Sequence, residues 1–525
     1  MACVVDLPLE LLEHILYMLD PLDVSRIAQS NRFFRKIRFW RGLYLALPLD
    51  DPRDSVTYLG NPRLRTGTSA MGSAMAIEET QIDTSNVNPS SSVEPSDIDW
   101  QGELQRIIRA RTVVRNPQLS RKGEWKEVLT TLLELATTLP PVPFAESECA
   151  SRNVAWVQRL LQDGAFLDIE STMDDQDDQA GHRFEKAGEG SGMTPHRAGR
   201  DNRMPAYQRP DLTAEESQML ARLHTWVGLT QRDVTRPRAR VASRAFVYDL
   251  RNFGSKNLFG PFMLDGTMRV DWKCMWALAH VYGMKWIEME KEETGDYSDR
   301  DVDMDMNNEW YSCPLSLPFC QSVIPPGMNL DTELDWAGVE GLWYVGYSFL
   351  DHREFLSKDF ILFYCLPCVV SPRLLSSLTG RDDILTKGSC LCLTVYNYSS
   401  LSDALDTSIF EGDDVPEMHA SVTMYFRVIS TEHDPDHPTR PKINYAGELD
   451  GQFSVVGYVK LTSDDQTWWH FAGGNGDQPV WNCEGVGLGG VRSQAGVLGT
   501  WSTVFHDAED PVGPLWMRRQ KFIVD

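Results

Sequence analysis

Between Leu9 and Leu19 the apolar residues are too many for one buried stripe. At about 100° per residue, Leu9, Leu11, Leu12, Ile15, Leu16, Met18 and Leu19 cover half of a helical wheel, and Glu10, Glu13, His14 and Tyr17 take the other half. A helix packing on a single core needs an apolar stripe of only about 100°, so this one has face enough for two surfaces. Asp6 and Pro8 open it, the proline supplying the preset φ that a first turn tolerates. Asp20-Pro21 restarts the chain in the same way. Val24, Ile27 and Ala28 form the next apolar face, and Asn31-Arg32-Phe33-Phe34-Arg35 leads into a third segment ending near Trp40. Residues 1–45 thus read as three short helices, a unit that buries too little surface to be stable alone. Excess apolar face on an undersized unit implies a protein partner.

Helical periodicity resumes across residues 100–165, with helices predicted at Leu104–Val114, Glu124–Leu133 and Asn153–Leu161. It returns across 213–290, where Thr213-Ala214-Glu215-Glu216 matches a capping box opening a helix through Val227 and Val270–Trp286 predicts another. Two stretches lack any period: 66–98, rich in Ser, Thr, Asn, Met and Pro, and 168–210, rich in Asp, Gly, Arg and Met. Both read as disordered linkers. From about Asn329 the runs shorten and fill with β-branched and aromatic residues: Trp343–Phe349, Phe360–Val370, Leu391–Tyr396, Ser421–Ile429, Phe453–Leu461, Val480–Cys483 and Trp501–Phe505. Residues 330–525 are therefore expected to form an antiparallel β sandwich or barrel. The fold class is α+β and multidomain: a small N-terminal helical module, a helical middle region with disordered linkers, and helices of 213–290 packing on the β-rich C-terminal domain.

Charge narrows the function classes. The 525 residues carry 50 Lys and Arg against 75 Asp and Glu, a formal net charge of −25. Nucleic-acid binders need a basic face to replace counterions, so no nucleic-acid partner is expected. About half of the excess sits in two short runs, Asp168–Asp178 and Glu288–Asp305, which read as solvated loops. The longest uninterrupted apolar run, Phe360–Val370, falls short of the roughly 18 residues of a membrane helix. Asp6, Glu10 and Glu13 occupy the place where a secretory signal carries basic residues. Ten scattered cysteines make no disulfide framework at this length. An intracellular protein of the cytoplasm, the nucleus or both is expected, with no membrane partner.

Leu7-Pro8-Leu9-Glu10-Leu11-Leu12-Glu13-His14-Ile15-Leu16, with Leu19, Asp23-Val24, Ile27-Ala28 and Asn31-Arg32-Phe33-Phe34-Arg35, resembles an F-box. That resemblance implies a helical module docking on a Skp-type adaptor and, through it, a cullin-based ubiquitin ligase. Leu7, Pro8, Ile15, Leu16, Leu19, Val24, Ile27 and Phe34 are the candidates for the docking surface or its support. Four further blocks are similar to the C-terminal regions of fungal F-box proteins: Gly260-Pro261-Phe262 through Val270-Asp271-Trp272, Trp336–Trp343, Trp481–Ser493 and Gly499–Trp516. They imply a substrate-receptor architecture and bring no catalytic residues.

Other motifs carry less. Gly485, Gly487 and Gly490 satisfy G-x-G-x-x-G, but Gly496 and Gly499 follow where a dinucleotide fingerprint needs a helix, so strand bulges and turns are expected. Cys365, Cys368, Cys390 and Cys392 have roughly zinc-like spacing inside apolar runs and read as buried thiols. In His433-Asp434-Pro435-Asp436-His437-Pro438 the prolines forbid the helix that would align two histidines on a metal, leaving a hydrated turn. His506, Asp507 and Asp510 raise acid–base catalysis without a nucleophile motif, and Asp510–Pro514 reads as a turn with carboxylates on backbone amides. Adjacent Trp468 and Trp469 must point to opposite faces of a strand, so one ring is expected outside the core, on a substrate-recognition surface.

The expected function is non-catalytic: a substrate-recognition subunit of a Skp–cullin–F-box ubiquitin ligase, bridging the adaptor to an unidentified protein substrate, without cofactor or metal. Two alternatives stand beside it. Gly341-Leu342-Trp343 resembles the G-x-W that opens lipocalin barrels, which implies a β-barrel carrier of a small apolar ligand. The other is an F-box scaffold that never recruits the cullin.

Overall fold

Helices occupy the first half of the chain and strands the second. The computed structural model describes residues 15, 23, 37–62, 98–145, 149–168, 212–249, 252–294, 313–350, 417–449, 453–475, 478–506 and 510–520. Among these, eight α-helices follow one another: α1 (Ile37–Ala46), α2 (Trp100–Arg115), α3 (Trp125–Thr137), α4 (Arg152–Leu161), α5 (Ala214–Val227), α6 (Gln231–Thr235), α7 (Pro237–Val247) and α8 (Trp272–Thr294).

Their starts are set by local chemistry. The Asp99 carboxylate accepts from the Gly102 N–H at 2.9 Å to open α2, and the Ser151 hydroxyl accepts from Val154 at 3.2 Å to open α4. Thr213 and Glu216 cap each other reciprocally at the head of α5, the Thr213 N–H reaching Glu216 Oε2 at 2.8 Å and the Glu216 N–H reaching Thr213 Oγ1 at 3.2 Å. The helices share one apolar core that runs from Trp40 in α1 through Leu104, Leu129, Leu132, Leu223 and Leu278 to Trp516.

The strands are β1 (Gly341–Leu350), β2 (Glu417–Glu432), β3 (Lys442–Leu449), β4 (Phe453–Leu461), β5 (Thr467–Asn475), β6 (Gln478–Gly487), β7 (Val497–Thr503) and β8 (Val512–Arg519). Each pairs antiparallel with its neighbours in sequence, and β8 returns to pair with β1, closing a barrel. Of the two β architectures anticipated, the barrel is the one formed. Register shifts at Val428/Ser430 and Gly473/Gly474 bend the wall.

Period-two alternation sends one face of each strand into the barrel, while the other faces the helical core on β1 and β5–β8 and solvent on much of β2–β4. Trp343, Val345, Phe426, Tyr445, Val459, Trp469, Phe471, Cys483, Val497, Trp501 and Met517 fill the interior. Trp468, Val486, Leu498 and Trp516 face outward into the helical core. Helix α8 lies on this outer wall, with Tyr282 and Trp286 each 5.5 Å from the Trp516 ring. Gly346 permits the approach, because a Cβ at that outward position would overlap Tyr282 Oη.

Two strands went unanticipated, β3 and β8, β5 was anticipated only through the Trp468-Trp469 pair, and Phe360–Val370 and Leu391–Tyr396 lie outside the described residues. The Asp510–Pro514 turn is also corrected. Strand β8 begins at Val512, and the Thr503 hydroxyl donates to Asp510 Oδ2.

Candidate recognition surface

Trp468 and Trp469 do point to opposite sides of β5, yet neither ring is free. Both are 3% exposed. Trp469 lies inside the barrel, 5.1 Å from Trp343. Trp468 lies outside it and under Phe262 at 5.0 Å, donating its indole N–H to Glu484 Oε2 at 2.7 Å. The expectation of a tryptophan on a recognition surface fails here because the loop before α8 covers the outer wall. Sequence periodicity places a ring on a face; it does not say what packs against that face.

What β5 offers solvent is His470. The register sets Asn444, Tyr458, His470 and Glu484 side by side across β3, β4, β5 and β6. Glu484 is buried, and its Oε1 lies 2.6 Å from His470 Nδ1. The part-buried His470 ring stacks on Tyr458 at 4.7 Å. Lys442 Nζ stands 4.8 Å from the Tyr458 ring centre, and Lys460 Nζ stands 4.4 Å from that of Trp468. Burial, aided by Glu484, raises the Tyr458 phenol pKa and so keeps the hydroxyl protonated at neutral pH. Exposed Val456 and Ile429 flank the patch. The patch is an aromatic and polar wall, on which Lys442 pairs with Glu432 at 3.1 Å.

His470 and Glu484 resemble an oriented base: Glu484 is bonded to the His470 ring, and the Tyr445 hydroxyl donates to the His470 carbonyl at 3.3 Å. None of the described residues group three or more His, Cys, Asp or Glu side chains that could hold a metal.

The remaining motif residues have structural places. Gly485 and Gly487 belong to β6 and Gly490 to the loop after it, where a Cβ would overlap Ser322 Oγ. His437 lies between Asp434 at 3.2 Å and Asp465 at 3.2 Å, in a turn. The His506 ring stacks on Phe259 at 3.4 Å, and Asp507 is outside the described residues. So are Cys365, Cys368, Cys390 and Cys392. Cys483 is a buried thiol inside the barrel, and burial raises its pKa far above the ordinary value.

At the G-x-W, Gly341 opens β1 with φ +138°, and Arg519 packs where its Cβ would be. The Trp343 indole donates to the Val339 carbonyl at 2.8 Å and helps seal that end of the barrel with Trp336 and Val491. Of the adaptor-docking candidates, Ile15 alone is described, as an exposed helical residue; Leu7, Pro8, Leu16, Leu19, Val24, Ile27 and Phe34 lie outside the described set. None of the described helices is long and apolar enough to cross a membrane. Comparison with known proteins gives no matching family model, no matching curated protein and no matching solved structure.

Proposed function

We propose that this chain is a non-catalytic substrate-recognition subunit of a Skp–cullin–F-box ubiquitin ligase, acting in the cytoplasm or nucleus. Its N-terminal segment docks on a Skp-type adaptor, and its barrel presents the substrate-binding wall. The observation that carries this reading over the carrier alternative is the filled barrel. An eight-stranded barrel either fills with its own side chains or holds one small ligand, and here Trp343, Phe426, Tyr445, Trp469, Phe471 and Trp501 crowd the interior. Recognition then falls to the outer wall, where Tyr458, His470 and Lys460, beside the Lys442–Glu432 pair, offer an aromatic and hydrogen-bonding contact face. Holding such a substrate beside a charged conjugating enzyme raises the rate of lysine attack through proximity alone.

The test is affinity purification of the full chain and of a chain lacking residues 1–36, followed by mass spectrometry. Residues beyond 36 are kept because Trp40, Leu43 and Tyr44 are buried in the core. Adaptor and cullin should vanish from the truncated sample while substrates remain. Adaptor without cullin in the full-chain sample would favour the scaffold reading.

The carrier reading has the G-x-W and the closed barrel in its favour. Native mass spectrometry separates the two: a carrier retains a stoichiometric small molecule, and a receptor with a filled barrel flies at its sequence mass.

A further inference from the structure

Away from the barrel, a cavity of about 320 Å³ opens between α3 and α5. Leu133, Thr137 and Met219 line it together with Tyr58, Trp272 and Arg222. The Arg222 guanidinium is clasped between two rings, its central carbon 5.0 Å from the Tyr58 ring centre and 5.1 Å from that of Trp272. This fixes the plane of the fork. Its protein hydrogen bonding is sparse: Nη2 reaches Gln466 Oε1 at 3.4 Å, the Tyr58 hydroxyl takes a further contact, and the buried Nε has no partner. A guanidinium offers five N–H donors, so this one is oriented and unsatisfied. Gln466 is itself engaged, donating to Tyr58 Oη at 3.1 Å and to the Asp464 carbonyl at 2.8 Å.

We propose that this cavity binds a monocarboxylate with an apolar body, the carboxylate on Arg222 and the body against Leu133 and Met219. The argument rests on the charge of the walls. Glu134 and Glu215 also line the cavity. Each already has a cation of its own: Glu134 pairs with Arg106 at 3.1 Å and Glu215 with Lys126 at 2.9 Å. They leave Arg222 uncompensated, yet they would repel a dianion. A planar single charge matches the fork, which pairs bidentately with a carboxylate. The Tyr58 and Trp272 faces exclude water from the guanidinium and strengthen the pair. This site is independent of the receptor reading and survives its failure.

The carboxylate has two possible sources, a small free acid or the C-terminus of a peptide ending in an aliphatic residue. Two probes separate them: 4-methylpentanoate, and an acetylated pentapeptide ending in Leu with a free carboxylate. Calorimetric titration into the full chain is run with each probe and with its carboxamide. Binding by one or both carboxylates, with at least about tenfold loss in the matching amide, is the expected result; which carboxylate binds names the source. Arg222→Gln should lose about tenfold or more for the carboxylate. Because Arg222 also props two rings, Met219→Trp provides a second variant that fills the cavity and leaves the guanidinium in place; it too should abolish binding. Equal binding of acid and amide, undiminished binding in Met219→Trp, or no heat from either carboxylate at about 10 mM would overturn the proposal.

Discussion

Trp468 donates its indole N–H to Glu484 Oε2 at 2.7 Å across the β5–β6 pair, which leaves Oε1 of the same carboxylate for His470. A buried carboxylate needs such donors, because leaving a charged acceptor unpaired out of water is expensive. Trp468→Phe keeps much of the packing on Phe262 and removes the donor. It should lower stability by about 2 kcal/mol, read as a shift in the denaturant midpoint with an unchanged slope. Glu484→Gln in the Trp468→Phe background should recover part of the loss, since a neutral amide is less costly to bury.

The proposed adaptor docking turns on the N-terminal segment. Leu16→Glu places a charge on an apolar half-circumference that docking would desolvate, a penalty of several kcal/mol that abolishes a micromolar contact. Pull-down of the Skp-type adaptor by this variant at wild-type strength would remove the F-box assignment.

Helix α8 and the barrel meet at a contact that tolerates no added atom. Gly346→Ala should destabilise by about 2 kcal/mol, since its Cβ runs into Tyr282 Oη. Tyr282→Phe removes that oxygen. The double variant should therefore be more stable than the sum of the single changes predicts, a coupling that thermal melts of all four proteins would measure.

Acid should weaken the fold in two windows. Burial pushes His280 below the ordinary histidine range, against an opposing pull from Asp233, and pushes His419 down to about 4. A histidine depressed in the folded state stays neutral while its unfolded counterpart takes a proton, so the unfolded chain binds more protons below about pH 6.5. Stability is then full above that value and falls as pH drops toward 4. Asp233 acts in the same direction but in a lower window. Burial would raise it, but His224, His280 and Thr230 together hold it at about 2, and its contribution is present above about pH 3.8 and lost below. Urea midpoints between about pH 7 and pH 4.5 should fall, and His419→Phe should flatten the curve.

Helices were legible wherever period and caps agreed. The Thr213–Glu216 box opens α5 where the sequence predicts it, and α2, α3 and α4 begin and end within a few residues of their apolar periods. Strand recognition failed for identifiable reasons. Strand β5 ends in Ala472-Gly473-Gly474, and β3 carries Ala446-Gly447-Glu448, sequences with little β preference of their own that the closed ladder recruits. Strand β8 holds Gly513-Pro514, which reads as a turn. Pro514 pairs with Thr500 of β7, while the β1 ladder reaches only to Leu515, so the missing N–H falls where no partner strand asks for it. Of the candidate wall, Trp468 was visible and Tyr458, His470 and Glu484 were not. Their alignment depends on register across β4, β5 and β6, which no local pattern contains.

The shared core has a mechanical consequence. The chain enters it at α1, returns at α2 and again at α5, and the strap from Val56 to Asn61 is tied down by the Arg440 guanidinium, which donates to the Leu59 carbonyl and to Asn61 Oδ1. Residues 63–97 and 169–211 therefore leave from and come back to the same body. Lengthening either one would not move Ile37 relative to the barrel wall. The distance from Ile37 to Tyr458 and His470 behaves as a strut of fixed length and not as a tether. Which lysines of a bound partner come within reach would then be decided by the pose of that partner on the wall.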